Sequence, residues 1–207
     1  MRLFCCVAFA VLSLGRSAWA QSGSAPGHFD YYLLTLSWSP EYCHSNPSSS
    51  ECTGGHHFGF IVHGLWPEFQ NGGYPEHCSN APGLSNPSTF LDIMPDLSLI
   101  QHEWTTHGTC SGLSAQSYFN LIRQAFTSIQ IPNQFRAPGT TQTVTPLQIK
   151  MAFEQSNPKL QDAGLMIVCS GIYLKALEVC LTKNLSPLAC PAPRDCRART
   201  LRVPPVQ

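Results

Sequence analysis

Charge is scarce in this chain. Asp, Glu, Lys and Arg make up 12% of its 207 residues, about half the roughly 25% usual for soluble domains. Lysine is rarer still, with four residues in all. There is no acidic or basic tail and no block of like charge. That excludes nucleic-acid binding by bulk charge and a polybasic membrane anchor. Beyond the first twenty residues no apolar run approaches the length of a membrane span. No C-x-x-C pair occurs, so the paired-cysteine zinc pattern is missing. No internal repeat is visible. Apolar residues nevertheless reach 43%, enough for one domain with a full core.

The start of the chain reads as a leader. Arg2 supplies a positive charge, Leu3 to Leu14 are apolar, and Ala18-Trp19-Ala20 is a small-x-small cleavage pattern. Residues 1–20 are therefore expected to be a secretory signal peptide, and 21–207 a single domain that is exported, extracellular or periplasmic. Without Arg2 and Arg16, ten Lys and Arg face twelve Asp and Glu, a formal charge of −2.

Loss of the leader removes Cys5 and Cys6 and leaves Cys43, Cys52, Cys78, Cys110, Cys169, Cys180, Cys190 and Cys196. An even number in an exported chain predicts four disulfides, and the spacings alone leave the pairing open. All eight histidines lie between His28 and His107. Imidazoles gain charge in mild acid, so the domain turns cationic there and holds a polyanion better.

Periodicity gives the elements. Phe29 to Trp38 and Phe58 to His63 read as strands, the second ended by Gly64 and Pro67. Residues 44–55, 68–89 and 130–144 are rich in Gly, Pro, Ser, Asn or Thr and read as loops. Tyr118, Leu121, Ile122, Ala125 and Ile129 share one helical face, with Ser114 as N-cap. Thr145-Pro146 opens a further helix that Asn157-Pro158 stops. Leu165 to Ser170 and Ile172 to Leu181 read as strands, with a short last one near Val203. Strands at both ends and helices between predict an α+β fold, a central antiparallel sheet with helices packed on it.

Two segments carry the chemistry. One is Ile61-Val62-His63-Gly64-Leu65-Trp66-Pro67; the other is His102-Glu103-Trp104-Thr105-Thr106-His107-Gly108-Thr109-Cys110. On a regular helix His102, Glu103, Thr106 and His107 share one arc while Trp104 faces away, as a core anchor would. Glu103 and His107 stand at i,i+4 and can touch. The two histidines of this segment stand at i,i+5, not the i,i+4 of H-E-x-x-H, and on a regular helix could not clamp one metal. His56 and His57 would point to opposite faces of a strand. No metal is expected. Two histidines from separate elements, His63 and His107, suit general acid–base cleavage of a phosphodiester by a neighbouring hydroxyl. RNA carries that 2′-OH and DNA does not.

These two segments closely resemble the active-site segments of the ribonuclease T2 family. The likeness extends to Phe29 through Cys43 and to the C-terminal cysteines. It implies a disulfide-bonded ribonuclease T2-like fold and a secreted endoribonuclease that cuts single-stranded RNA with little base specificity, through a 2′,3′-cyclic phosphate to a 3′-phosphate. It implies His63 as general acid, His107 as general base, Glu103 as the group steadying the charged imidazole, and His102 on the phosphate. Trp66 resembles a base-stacking residue, with Glu68 and Tyr74 as companions. The pairings it implies are Cys43–Cys52, Cys78–Cys110, Cys169–Cys196 and Cys180–Cys190. No cofactor, membrane or obligate protein partner is implied, and a monomer is expected.

One departure stands out. The family usually carries a lysine just before its last histidine, and here that position is Thr106. A cation there would offset charge on the pentacovalent phosphorane, and losing such a donor costs several kcal/mol. Either Lys150 reaches the site in its place, or activity is reduced. At the extreme the chain would be a catalytically weakened RNA-binding protein of the same fold.

Overall fold

The computed structural model describes residues 20–22, 24–53, 55 and 57–206. The leader expected over 1–20 lies outside them except for its last residue, and so does His56. The strands are β1 (Ala20–Ser22), β2 (Tyr31–Trp38), β3 (Phe60–Glu68), β4 (Tyr74–Glu76), β5 (Gln142–Val144), β6 (Leu165–Ser170), β7 (Tyr173–Leu181) and β8 (Leu201–Val203). The helices are α1 (Ser39–Ser45), α2 (Ser50–Thr53), α3 (Leu97–Thr106), α4 (Ala115–Thr127), α5 (Asn133–Arg136) and α6 (Pro146–Ser156). No described helix is long and apolar enough to cross a membrane.

Six strands form the main sheet in the order β3-β2-β7-β8-β5, with β6 on the other edge of β7. The pairings are antiparallel except β7 with β8, which run parallel at Tyr173↔Arg202. The sheet is therefore mixed rather than purely antiparallel. β2 stops short of that end of β7, and β8 takes its place there. β1 and β4 pair in parallel as a separate ribbon.

Alternation sorts the two faces. Tyr32, Leu34, Leu36 and Trp38 of β2 join Tyr118, Phe119 and Ile122 of α4 and Ile149 and Phe153 of α6 in one buried core. Tyr31 and Leu33 point the other way, with Met166, Cys180 and Cys190, and Trp66 packs beside them. Ser114 caps α4 by accepting the Ser117 N–H. Thr145 and Gln148 form a reciprocal capping box on α6, which satisfies two otherwise unpaired donors.

Three loop readings are corrected. Short helices α1 and α2 occupy much of 44–55 and its approach, and Cys43–Cys52 clips them together. β4 lies within 68–89, and α5 and β5 lie within 130–144. The second strand also runs on through Gly64 and Pro67 to Glu68. β3 is the edge strand of the main sheet, where proline's missing N–H leaves no ladder bond unmade.

All four expected disulfides are present: Cys43–Cys52, Cys78–Cys110, Cys169–Cys196 and Cys180–Cys190.

Candidate active site

His63 sits at an irregularity in β3. Thr35 faces Gly64 and Leu36 faces Val62, so His63 is the extra residue of a bulge. A bulge turns a side chain out of the regular alternation. Here the ring reaches Ser37 on β2, whose Oγ lies 3.2 Å from His63 Nδ1. His63 Nε2 lies 3.7 Å from Glu103 Oε1.

Glu103 comes from α3, whose N-terminus Asp96 caps by accepting the Ser98 and Leu99 N–H groups. The Glu103 side chain is fully buried, at 0% exposure. Trp66 Nε1 donates to its Oε2 at 2.7 Å, while Oε1 makes no hydrogen bond among the described residues. This carboxyl therefore stands beside His63 and Trp66, and it also lies within 4.8 Å of His107, its neighbour on the helical arc, without an ion pair to it among the described residues. Gly64 permits the close approach: a Cβ there would collide with Glu103 Oε2 and Trp66 Nε1.

α3 ends at Thr106, and His107 follows as its C-cap (φ −111°, ψ −44°), leading into a 3₁₀ turn at Gly108–Cys110. The break carries the His107 ring against Trp66, 5.2 Å between centroids, and Tyr74, at 5.9 Å. His63 packs edge-on against the same indole at 5.6 Å. One tryptophan thus touches both histidines. Because the helix unwinds there, donor atoms of His102, Glu103 and His107 all lie within 4.8 Å of one another. That corrects the regular-helix argument: the trio is close enough to hold a cation.

Burial governs the titration. It pushes His107 down to about 3 and His63 down to about 4. It pushes Glu103 up to about 8, against the lowering effect of the Trp66 hydrogen bond. At neutral pH the His63–Glu103 pair therefore holds one proton, and His107 is neutral.

The remaining expected residues divide. His102 is exposed at the mouth. Thr106 is buried, with Oγ1 3.4 Å from His102 Nδ1. Glu68 shares the sheet face of Trp66, but its buried side chain lies across from Tyr31, and burial raises its pKa to about 7. Trp104 is a core anchor, donating to the Ala81 carbonyl at 3.0 Å. Lys150 does not reach the site. It lies on α6 and pairs with Asp195 and Asp162, and Asp195 is itself fixed to the β6 backbone at Ile167.

Sequence reasoning missed Ser37 and the cleft beside His63. That cleft, about 360 Å³, is lined by His63, His102, Tyr42, Glu51, Asp96 and Leu99. Its residues come from five separate elements and loops, so no local pattern announces it. The Cys78–Cys110 bond, together with His77 N–H to Thr106 O at 2.8 Å, ties the loop after β4 to the end of α3.

Known proteins resemble this chain over most of its length. The ribonuclease T2 family model matches residues 29–190. A curated ribonuclease of Aeromonas hydrophila is 40% identical over 176 residues, covering 81% of this chain and 79% of its own length. A probable ribonuclease of Haemophilus influenzae is 32% identical over 191 residues, covering 82% of this chain and 63% of the relative. Among solved structures, RNase NT in complex with 5′-AMP superposes with a TM-score of 0.69 at 25% identity, covering 86% of this chain and 98% of that one.

Proposed function

The chain belongs to the ribonuclease T2 family, and from that premise we propose that it is a secreted endoribonuclease that cleaves single-stranded RNA by metal-independent transphosphorylation. The carrying observation is the shared indole: Trp66 touches His63 and His107 and donates to Glu103.

His107, which burial keeps neutral at neutral pH, takes the proton of the 2′-OH as that oxygen attacks phosphorus. The bond from phosphorus to the 5′ oxygen breaks. His63 gives that oxygen a proton, which it shares with Glu103 3.7 Å away. A carboxylic acid beside a neutral imidazole carries the same net charge as a carboxylate beside an imidazolium. The phosphate anion favours the second arrangement and so charges His63 when substrate arrives. A water then reverses the two roles and opens the 2′,3′-cyclic phosphate to a 3′-phosphate. His102 meets the phosphate at the mouth. Trp66 and Tyr74 offer aromatic faces to a base, with Glu68 beyond them; stacking tolerates any base and is worth about 1–3 kcal/mol each. Four disulfides support export, and the enzyme acts as a monomer.

Thr106 favours a second reading, a catalytically weakened RNA-binding protein, because a hydroxyl stands where the family has an ammonium. One experiment separates the two. The purified domain is incubated with RNA in EDTA across acid and neutral pH, and the 3′ ends are identified. Cyclic-phosphate ends, lost in His63→Ala and His107→Ala, support the enzyme. Recovery of cleavage only on adding metal sinks the mechanism. Binding without cleavage favours the weakened form.

A further inference from the structure

The open sheet face that carries His63 continues across β2 to the first residues of β7. Ser37, in contact with His63 Nδ1, lies directly across from Ala176. The next residue along β7 is Lys175, which is exposed. A register shift against β6, where Val168 faces Ala176 and Cys169 faces Leu174, makes Lys175 the extra residue of a bulge and breaks the alternation there; Leu174 turns into the helix-side core, so Tyr173 and Lys175 on either side of it share the open face. Two strand spacings, about 10 Å, separate β3 from β7, and a lysine side chain spans much of that gap. Beyond Tyr173 the parallel pairing brings in Arg202, whose guanidinium lies 5.7 Å from the Tyr173 ring. Tyr173 and Arg202 line a cavity of about 520 Å³ with His44 and Glu41 of α1. A lysine, an arginine and a half-exposed tyrosine thus continue from the acid side of the catalytic pair.

We propose that this end of β7 is a further RNA subsite, in which Lys175 and Arg202 bind phosphates of the strand that departs with the 5′ oxygen and Tyr173 stacks one of its bases. The direction rests on the reading of His63 as the acid that protonates that oxygen. Phosphate contacts by Lys and Arg carry affinity without base preference, and an aromatic face adds to it sequence-tolerantly. Electrostatics agree: burial and His102 lower the pKa of His63 most, and the charge of Lys175 adds to them and is also felt at Glu178. From its other neighbours His63 faces Glu103 of α3, His107, and Glu51 and Asp96 across the cleft. Glu41 opposes Arg202 in its cavity, so the larger share of phosphate binding falls to Lys175.

The test compares kcat/KM for three substrates: a dinucleoside monophosphate, the same lengthened by several nucleotides on the 3′ side, and the same lengthened on the 5′ side. In the wild type the 3′ extension raises kcat/KM. In Lys175→Ala, Arg202→Ala and Tyr173→Ala that gain falls, by about tenfold for the stacking residue, while the gain from the 5′ extension stays. Lys175→Arg keeps the gain. The salt dependence of log KM for the 3′-extended substrate loses about 0.7 per cation removed. Absence of a 3′ gain in the wild type, or its persistence in all three alanine variants, overturns the subsite. If the dinucleoside monophosphate is not cleaved at all, the catalytic reading fails instead. Binding of 3′-extended and unextended 2′-deoxy oligonucleotides to the wild type and Lys175→Ala then decides the subsite alone: an affinity gain that the variant loses upholds it, and equal affinities overturn it.

Discussion

Trp66 donates its indole N–H to Glu103 at 2.7 Å, and that bond locks the first motif to the second. The contact is possible because residue 64 has no side chain: a Cβ there would meet both partners. A backbone position on the edge strand therefore controls the depth at which a buried carboxyl sits beside His63.

Gly64→Ala is expected to lose activity, because the new Cβ must push aside the buried Glu103 carboxyl and the Trp66 indole, and to lower the melting temperature. Displacing Glu103 or Trp66 by about 1 Å is enough to cost on the order of 100-fold in rate. Circular dichroism and thermal melting check the fold, and kcat on a dinucleoside monophosphate reads the loss. Activity within twofold of wild type would show that the Trp66–Glu103 bond does not position the reacting groups.

The pH profile of kcat/KM reports the free enzyme, and its two limbs follow from burial. His107 must be neutral to act as base, and its pKa is pushed down to about 3, so activity falls only as pH drops toward that value. The His63–Glu103 pair must hold a proton, and Glu103 is pushed up to about 8, so activity falls as pH rises through that region. The expected profile is a broad plateau over acid and neutral pH. An acid limb near 6.5, the ordinary imidazole value, would contradict it. In Glu103→Gln the shared proton is gone, so kcat drops and the alkaline limb moves to lower pH.

Much of this arrangement was legible in the chain. The caps at Ser114 and Thr145 and the apolar face of α4 are local patterns, and they stand as read. The four disulfide pairings follow the family resemblance and are met. What escaped depends on distant parts of the fold. The bulge that re-aims His63 arises from the register between β2 and β3, which no residue near His63 announces. Glu103 was expected beside His107 because both stand on one helical arc. It does lie within 4.8 Å of His107, but its hydrogen bond and its ion pair go to β3, to Trp66 and His63. Lys150 carried the right charge, but its side chain is directed to Asp162 and Asp195 beside β6, on the far side of β7 from β2 and β3.

Lys150 holds the C-terminal segment. Its side chain is 9% exposed and bonds to Asp195 and Asp162, while Asp195 also accepts the Ile167 N–H at 2.8 Å. Lys150→Met is expected to cost about 1.5–3 kcal/mol, the range for hydrogen bonds to charged groups, and to leave kcat per folded molecule unchanged. Denaturant melts and active-site titration separate the two quantities. A fall in kcat without a fall in stability would return Lys150 to the catalytic site.

Thr106→Lys tests what the neutral hydroxyl costs. Thr106 is buried, its Oγ1 faces His102 Nδ1 at 3.4 Å, and its carbonyl is held by the His77 N–H at 2.8 Å. The backbone is therefore fixed, and a longer side chain extends past His102, which is exposed, toward the phosphate. An ammonium there stabilises negative charge that grows only in the transition state, so kcat rises more than KM falls. A donor at such a position is worth about 100- to 1000-fold when removed from a site built around it. Exchanged for the Thr106 hydroxyl in a site that keeps His102, it is expected to give about tenfold or more. The new charge also disfavours protonation of His107, which moves the acid limb lower still. A kcat unchanged by the substitution, with the acid limb shifted, would mean that the cation arrives at the right place and that the phosphorane charge is already met by other groups. Activity appearing only in Thr106→Lys would assign the natural chain to the weakened RNA-binding form.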